Sequence, residues 1–82
     1  MVTVKFFATL RKATGEKGYQ SSARNVSGVL KEVESLYGDG IKRYLKSCTV
    51  LVNGRNVAYL RGRRTKLTPG DEVSLFPPVA GG

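Results

Sequence analysis

The chain has 82 residues, 40% of them hydrophobic and 24% charged, enough for one domain with a modest core and little surplus stability. One cysteine and no histidine exclude an internal disulfide and leave out the usual ligands of a zinc or other transition-metal site. Fourteen Lys and Arg against six Asp and Glu give a net charge of +8 and a pI of about 10.1, a balance that draws a protein towards polyanions or an acidic partner, or merely keeps it soluble. No apolar run approaches a membrane span, and the N-terminus goes straight into alternating residues rather than a secretory signal. The expectation is a cytoplasmic protein with no membrane partner.

Val2 to Thr9 reads as a first strand, with Val4, Phe6 and Ala8 facing one way and Thr3, Lys5, Phe7 and Thr9 the other. Phe7 is then an apolar residue on a polar face. Leu10 to Gly15 reads as a connection ending in the turn signal Thr14-Gly15, and Lys17 to Ala23 as a weaker second strand. Asn25 is placed to cap a helix. Behind it, Val26, Val29, Leu30, Val33, Leu36 and Tyr37 recur at helical spacing, and Gly38 stands where a C′ glycine ends the helix. Ile41, Tyr44 and Leu45 have the spacing of one further turn.

Cys48 to Val52 reads as a buried strand. Asn53-Gly54 is the favoured pair for a type I′ turn, and Asn56 to Leu60 returns as a short strand. A basic loop, Arg61 to Lys66, precedes Thr68-Pro69-Gly70-Asp71, a type II turn with Pro and Gly at its centre. Glu72 to Phe76 is the last strand, with Val73 and Leu75 on one face and Ser74 and Phe76 on the other. One main helix across one face of a mixed sheet makes an α+β domain over residues 1–76.

Residues 77–82 form a tail: Pro77, Pro78, Val79, Ala80, Gly81 and Gly82. Proline fixes φ and biases the residue before it to extended geometry. Six extended residues reach about 20 Å, long enough to enter a partner's active site while the body stays outside. The two glycines carry no side chain, so a terminal carboxylate can pass a narrow channel. Most chain ends do nothing but fray. What precedes this one favours a functional reading.

Other features have bland explanations. Cys48 begins an apolar strand and reads as core rather than as a sulfur acceptor. Asp71 and Glu72 are neighbours that point to opposite sides, so they are turn and edge residues rather than an acid/base pair. Asn53-Gly54 reads as a hairpin turn and no more. Arg61, Arg63, Arg64 and Lys66 read as a solvated face, since only Tyr59 lies beside them for base stacking; nucleic acid is not the expected partner.

The chain resembles the small sulfur carriers of the ubiquitin-like β-grasp fold. It is most similar to the small subunit of molybdopterin synthase, the MoaD family, and more distantly to the thiamin sulfur carrier ThiS. The resemblance rests on Val4-Lys5-Phe6-Phe7-Ala8 with Leu10-Arg11 and Gly15, on Leu51-Val52-Asn53-Gly54, on Leu67-Thr68-Pro69-Gly70-Asp71-Glu72-Val73, and above all on Phe76-Pro77-Pro78-Val79-Ala80-Gly81-Gly82. Pro-Pro before the tail favours the molybdopterin branch.

The resemblance implies that an E1-like partner uses ATP to adenylate Gly82. A sulfur donor then displaces AMP to leave a thiocarboxylate. The tail, Pro77 to Gly81, enters a large synthase subunit, where the sulfur passes to a pterin precursor. It also implies that the chain is not itself an enzyme, holds no metal or cofactor, and docks through Phe7, Arg11, Leu60 and Phe76. A ubiquitin-like protein modifier and a sulfur carrier for tRNA thiolation need the same tail and stand as alternatives. A basic nucleic-acid-binding module is a more remote one. The +8 charge departs from the neutral or acidic balance associated with the family.

Overall fold

The N-terminal alternation is realised over β1 (Val2–Phe6), whose Val2, Val4 and Phe6 are all buried. The structure, a computed structural model, describes residues 1–78. After β1 come α1 (Thr9–Thr14), β2 (Gly18–Ser21), α2 (Val26–Tyr37), α3 (Asp39–Leu45), β3 (Thr49–Val52), β4 (Arg55–Asn56) and β5 (Glu72–Phe76). Two 3-10 turns, Val57–Tyr59 and Gly62–Arg64, lie between β4 and β5.

The strands form one mixed sheet in the order β2-β1-β5-β3-β4. β1 and β5 run parallel, with Val4 opposite Val73 and Phe6 opposite Leu75, and the other pairs are antiparallel. The inward sides of β1, β3 and β5 meet Val26, Val29, Leu30 and Val33 of α2 in one core, joined by Leu10, Ile41 and Leu45. This is the ubiquitin-like β-grasp, with α2 as its main helix.

Local chemistry explains the helix ends. Asn25 is extended, at φ −152°, and its Oδ1 accepts from the Gly28 N–H at 2.7 Å. Gly38, at φ 80°, donates its N–H to the Glu34 carbonyl at 2.9 Å and turns the chain into α3.

Five expectations change. The first strand stops at Phe6, because Ala8 leaves extended geometry at φ 52°, ψ −128°. The connection after it is the helix α1, which buries Leu10 and ends at Gly15 in the left-handed region. Six residues carry one apolar anchor, too few for a period to show. β3 is not buried on both faces: Val50 and Val52 point in, whereas Thr49 is exposed and Leu51 half-buried. The return strand is only Arg55–Asn56, because Asn56 Oδ1 accepts from the Ala58 N–H at 2.9 Å and starts a 3-10 turn. Leu36, counted in the apolar stripe of α2, is exposed.

Asn53 does more than turn a hairpin. Asn53 and Gly54 take φ 51° and 83°, as a type I′ turn requires. The Asn53 side chain also donates to Asp71 Oδ1 at 3.0 Å and accepts from the Glu72 N–H at 2.9 Å. Asp71 Oδ2 in turn accepts from the Thr68 N–H at 2.8 Å. The β3–β4 turn is thus latched to the start of β5. The bond from the Thr68 backbone and the bond from Asn53 hold the Asp71 carboxyl below its ordinary value.

Two predictions follow from this packing. A Cβ on Gly18 would overlap the Val4 carbonyl oxygen of the neighbouring strand, which cannot yield as a side chain can. Gly18→Ala should cost about 2 kcal/mol in urea unfolding. The second concerns acid. A carboxyl lowered in the folded state contributes stability above its unfolded value and loses it as pH falls through the folded one. Asp71→Asn should therefore flatten the acid limb of stability against pH while leaving the alkaline limb unchanged, measured as urea midpoints over a pH series.

Candidate functional site

Parallel pairing of β1 and β5 sends both strands to the same end of the sheet. Phe6 and Leu75 are opposite and point inward, so the residues just beyond them, Phe7 and Phe76, meet on the outer face. The Phe7 N–H continues the ladder by donating to the Leu75 carbonyl at 3.1 Å. The two half-buried rings stack at a centroid distance of 4.4 Å and an interplanar angle of 10°. Such a pair is worth about 0.5–1.5 kcal/mol beyond its area.

α1 adds the charge. Its first turn brings the Arg11 guanidinium to 5.8 Å from the centre of the Phe7 ring, while Arg11 Nε donates to the Phe6 carbonyl at 3.4 Å. Beside the stack, a groove of about 440 Å³ is walled by Phe7, Arg11, Lys5, Lys17 and Tyr19. Lys5 Nζ lies 3.1 Å from Glu72 across the strands, an exposed ion pair of small energetic weight. Thr49 stands opposite Phe76 and Leu51 opposite Ser74, which extends the face towards β3. An aromatic pair rimmed by cations has the anatomy of a docking surface.

The structure brings together Phe7, Arg11 and Phe76. Leu60 closes the Val57–Tyr59 turn, its N–H donating to the Val57 carbonyl at 2.9 Å. It therefore lies past β4 rather than on it, and β3 separates β4 from β5 in the sheet. Pro77 is half-buried directly after Phe76, and Pro78 is exposed. Val79, Ala80, Gly81 and Gly82 lie outside the described residues.

A family model for the ThiS family matches residues 4–82. The chain belongs to the ThiS family. It is 39% identical to small archaeal modifier protein 3 of Haloferax volcanii, over 96% of each chain. Among solved structures, small archaeal modifier protein 1 of Methanosarcina acetivorans matches with a TM-score of 0.84 and 33% identity, covering 99% of this chain and 95% of that one. A chain of the BexX/CysO complex of Amycolatopsis orientalis matches at 0.82 and 30%, covering all of both chains. A chain of the complex of subunits 1 and 2 of the molybdopterin-converting factor of Helicobacter pylori matches at 0.69 and 27%, covering 99% and 97%. Family and fold thus agree with a ubiquitin-like sulfur carrier. Similarity to modifier and CysO proteins runs closer than similarity to the molybdopterin protein.

Elsewhere, this ThiS-family chain shows little chemistry of its own. Cys48 is half-buried against the core and its Sγ donates to the Leu45 carbonyl at 3.5 Å. Burial pushes its thiol up, away from the thiolate form a nucleophile needs. No cluster of three metal-ligating side chains occurs among the described residues. Among those residues, no helix is long and apolar enough to cross a membrane. One feature escaped sequence reasoning. Ala8, between Phe7 and α1, holds a backbone conformation that costs a non-glycine residue about 1–3 kcal/mol. Its carbonyl accepts from the Arg11 N–H at 3.0 Å, so the strained residue fixes where Arg11 stands. Ala8→Gly should relieve the strain and raise stability by about 1 kcal/mol after glycine's own entropic cost. A lower melting temperature for this variant would show that Ala8 is unstrained.

Proposed function

We propose that this chain carries sulfur on Gly82, and that the Phe7–Phe76 face with Arg11 docks it on the enzymes that load and unload that residue. The observation that carries the reading is the stack's position. Phe76 ends β5 and is followed at once by Pro77-Pro78, so the docking face and the root of the tail are adjacent in the chain.

The chemistry belongs to partners, and ATP is used by an E1-like one. A carboxylate oxygen of Gly82 attacks the α-phosphate of ATP, and pyrophosphate leaves. A hydrosulfide equivalent from a sulfur donor then attacks the acyl carbon and AMP leaves with the electron pair of the broken C–O bond. The product is a thiocarboxylate, with one proton released to solvent. The chain needs no base, nucleophile or metal for these steps, only an unhindered end and a recognisable body. The BexX/CysO and two-subunit molybdopterin-converting-factor complexes support a larger protein as the receiving partner. In the molybdopterin form of this reading, a large synthase subunit passes the sulfur to a pterin precursor.

A second reading has its own support. Similarity to small archaeal modifier protein 3 favours joining of Gly82 to amino groups of other proteins after the same activation. Intact mass spectrometry separates the two. With a cognate activating enzyme, ATP and a sulfur donor, the carrier reading expects replacement of one C-terminal oxygen by sulfur, and loss of that sulfur when a synthase subunit and pterin precursor are added. Isopeptide-linked products in extract, without transfer to the pterin, would favour the modifier. Phe7→Ala should slow activation by about tenfold while the fold persists, as losing one interface anchor of 1–2 kcal/mol would. An unchanged rate would remove the docking role.

A further inference from the structure

Residues 40–70 contain Lys42, Arg43, Lys46, Arg55, Arg61, Arg63, Arg64 and Lys66, with no Asp or Glu among them. The sequence presents two groups, one in α3 and one in a loop. The structure joins them. Arg63 Nη2 donates to the Leu45 carbonyl at 3.2 Å, tying the Gly62–Arg64 turn to the C-terminal end of α3. Lys31, Lys42, Lys46 and Arg63 line one cavity of about 180 Å³. Its single carboxylate, Glu34, lies 3.5 Å from Lys42 and offsets one of the four charges.

Aromatic rings accompany these cations. Tyr59 is 88% exposed on the Val57–Tyr59 turn, two residues before Arg61, so nearly its whole ring meets solvent. The Arg43 guanidinium lies 5.6 Å from the centre of the Tyr44 ring. Uncompensated cations follow a phosphate backbone, and an exposed flat ring supplies a platform for a base. An acidic polypeptide would use the first feature and leave the second idle.

We infer that the face formed by α3 and the Arg55–Lys66 stretch binds single-stranded RNA, through its phosphates and by stacking of a base on Tyr59. This face is separate from the Phe7–Phe76 stack, so binding does not depend on the chemistry of Gly82. It does reach the same end of the sheet: Thr49, which opens β3 shortly after Lys46, pairs with Phe76. A strand held there lies near the root of the tail.

The test is fluorescence anisotropy of the full chain with a labelled oligoribonucleotide of mixed sequence. With four phosphates neutralised, log K should fall against log salt with a slope of about −3. Arg61→Glu with Arg64→Glu should weaken binding at least about tenfold, whereas Lys5→Glu with Lys17→Glu, the same charge change on the groove beside Phe7, should do far less. Both Arg61 and Arg64 are exposed and the described bonds use only their backbones, so circular dichroism should show an intact fold. Tyr59→Ala should weaken binding about fivefold or more and leave the salt slope unchanged. Deleting Gly81 and Gly82 should change nothing. Equal losses in the two charge-reversal pairs, no effect of Tyr59→Ala, or displacement of the RNA by polyglutamate at equal charge concentration would overturn the inference.

Discussion

The parallel pairing of β1 with β5 is the constraint on which the rest depends. It brings the first and last strands side by side at the centre of the sheet and makes both end at one edge of the molecule. The inward residues of these two strands, Val4, Phe6, Val73 and Leu75, are fully buried and anchor the core. The same register, carried one residue further, stacks Phe7 on Phe76 outside. A slip of one residue would reverse both faces at once, burying Lys5 and exposing Phe6. Under the proposed docking role, stability and recognition therefore rest on one alignment.

A division of labour follows. Within the described body, the half-buried Cys48 has its thiol pushed up by burial, and Asp71 is committed to the latch with Asn53 and Thr68. In the proposed reading, reactivity falls to Gly82, where the two final glycines impose no side-chain bulk. In such a design the partner provides catalysis and the carrier provides identity. The strained Ala8 fits this view, because it turns the chain sharply enough after Phe7 to set Arg11 against the ring.

Much of this was legible in the sequence, for physical reasons that differ by element. Asn25 and Gly38 fixed α2 because capping chemistry is local and each residue type does one thing well there. Phe7 and Phe76 stood out because each breaks a strand's polar side, and only the sheet order was needed to pair them. α1 escaped because one buried leucine carries no period. The return strand was read too long because Asn56, readable as a strand residue, spends its side chain on the Ala58 N–H and ends the strand. The latch through Asn53 and the union of α3 with the Gly62–Arg64 turn are long-range contacts. No local pattern announces them. The cations of α3 and of the Gly62–Arg64 turn were visible as composition, but their union required the fold.

The most direct measurement of the central claim is backbone amide shift mapping of the isotope-labelled chain as an activating enzyme is added. The account predicts that the largest changes fall on Phe7, Arg11, Thr49 and Phe76 and continue into the residues after Pro78, with α2 unaffected. Changes concentrated on the exposed side of α2, around Lys31 and Ser35, with Phe7 and Phe76 silent, would contradict it.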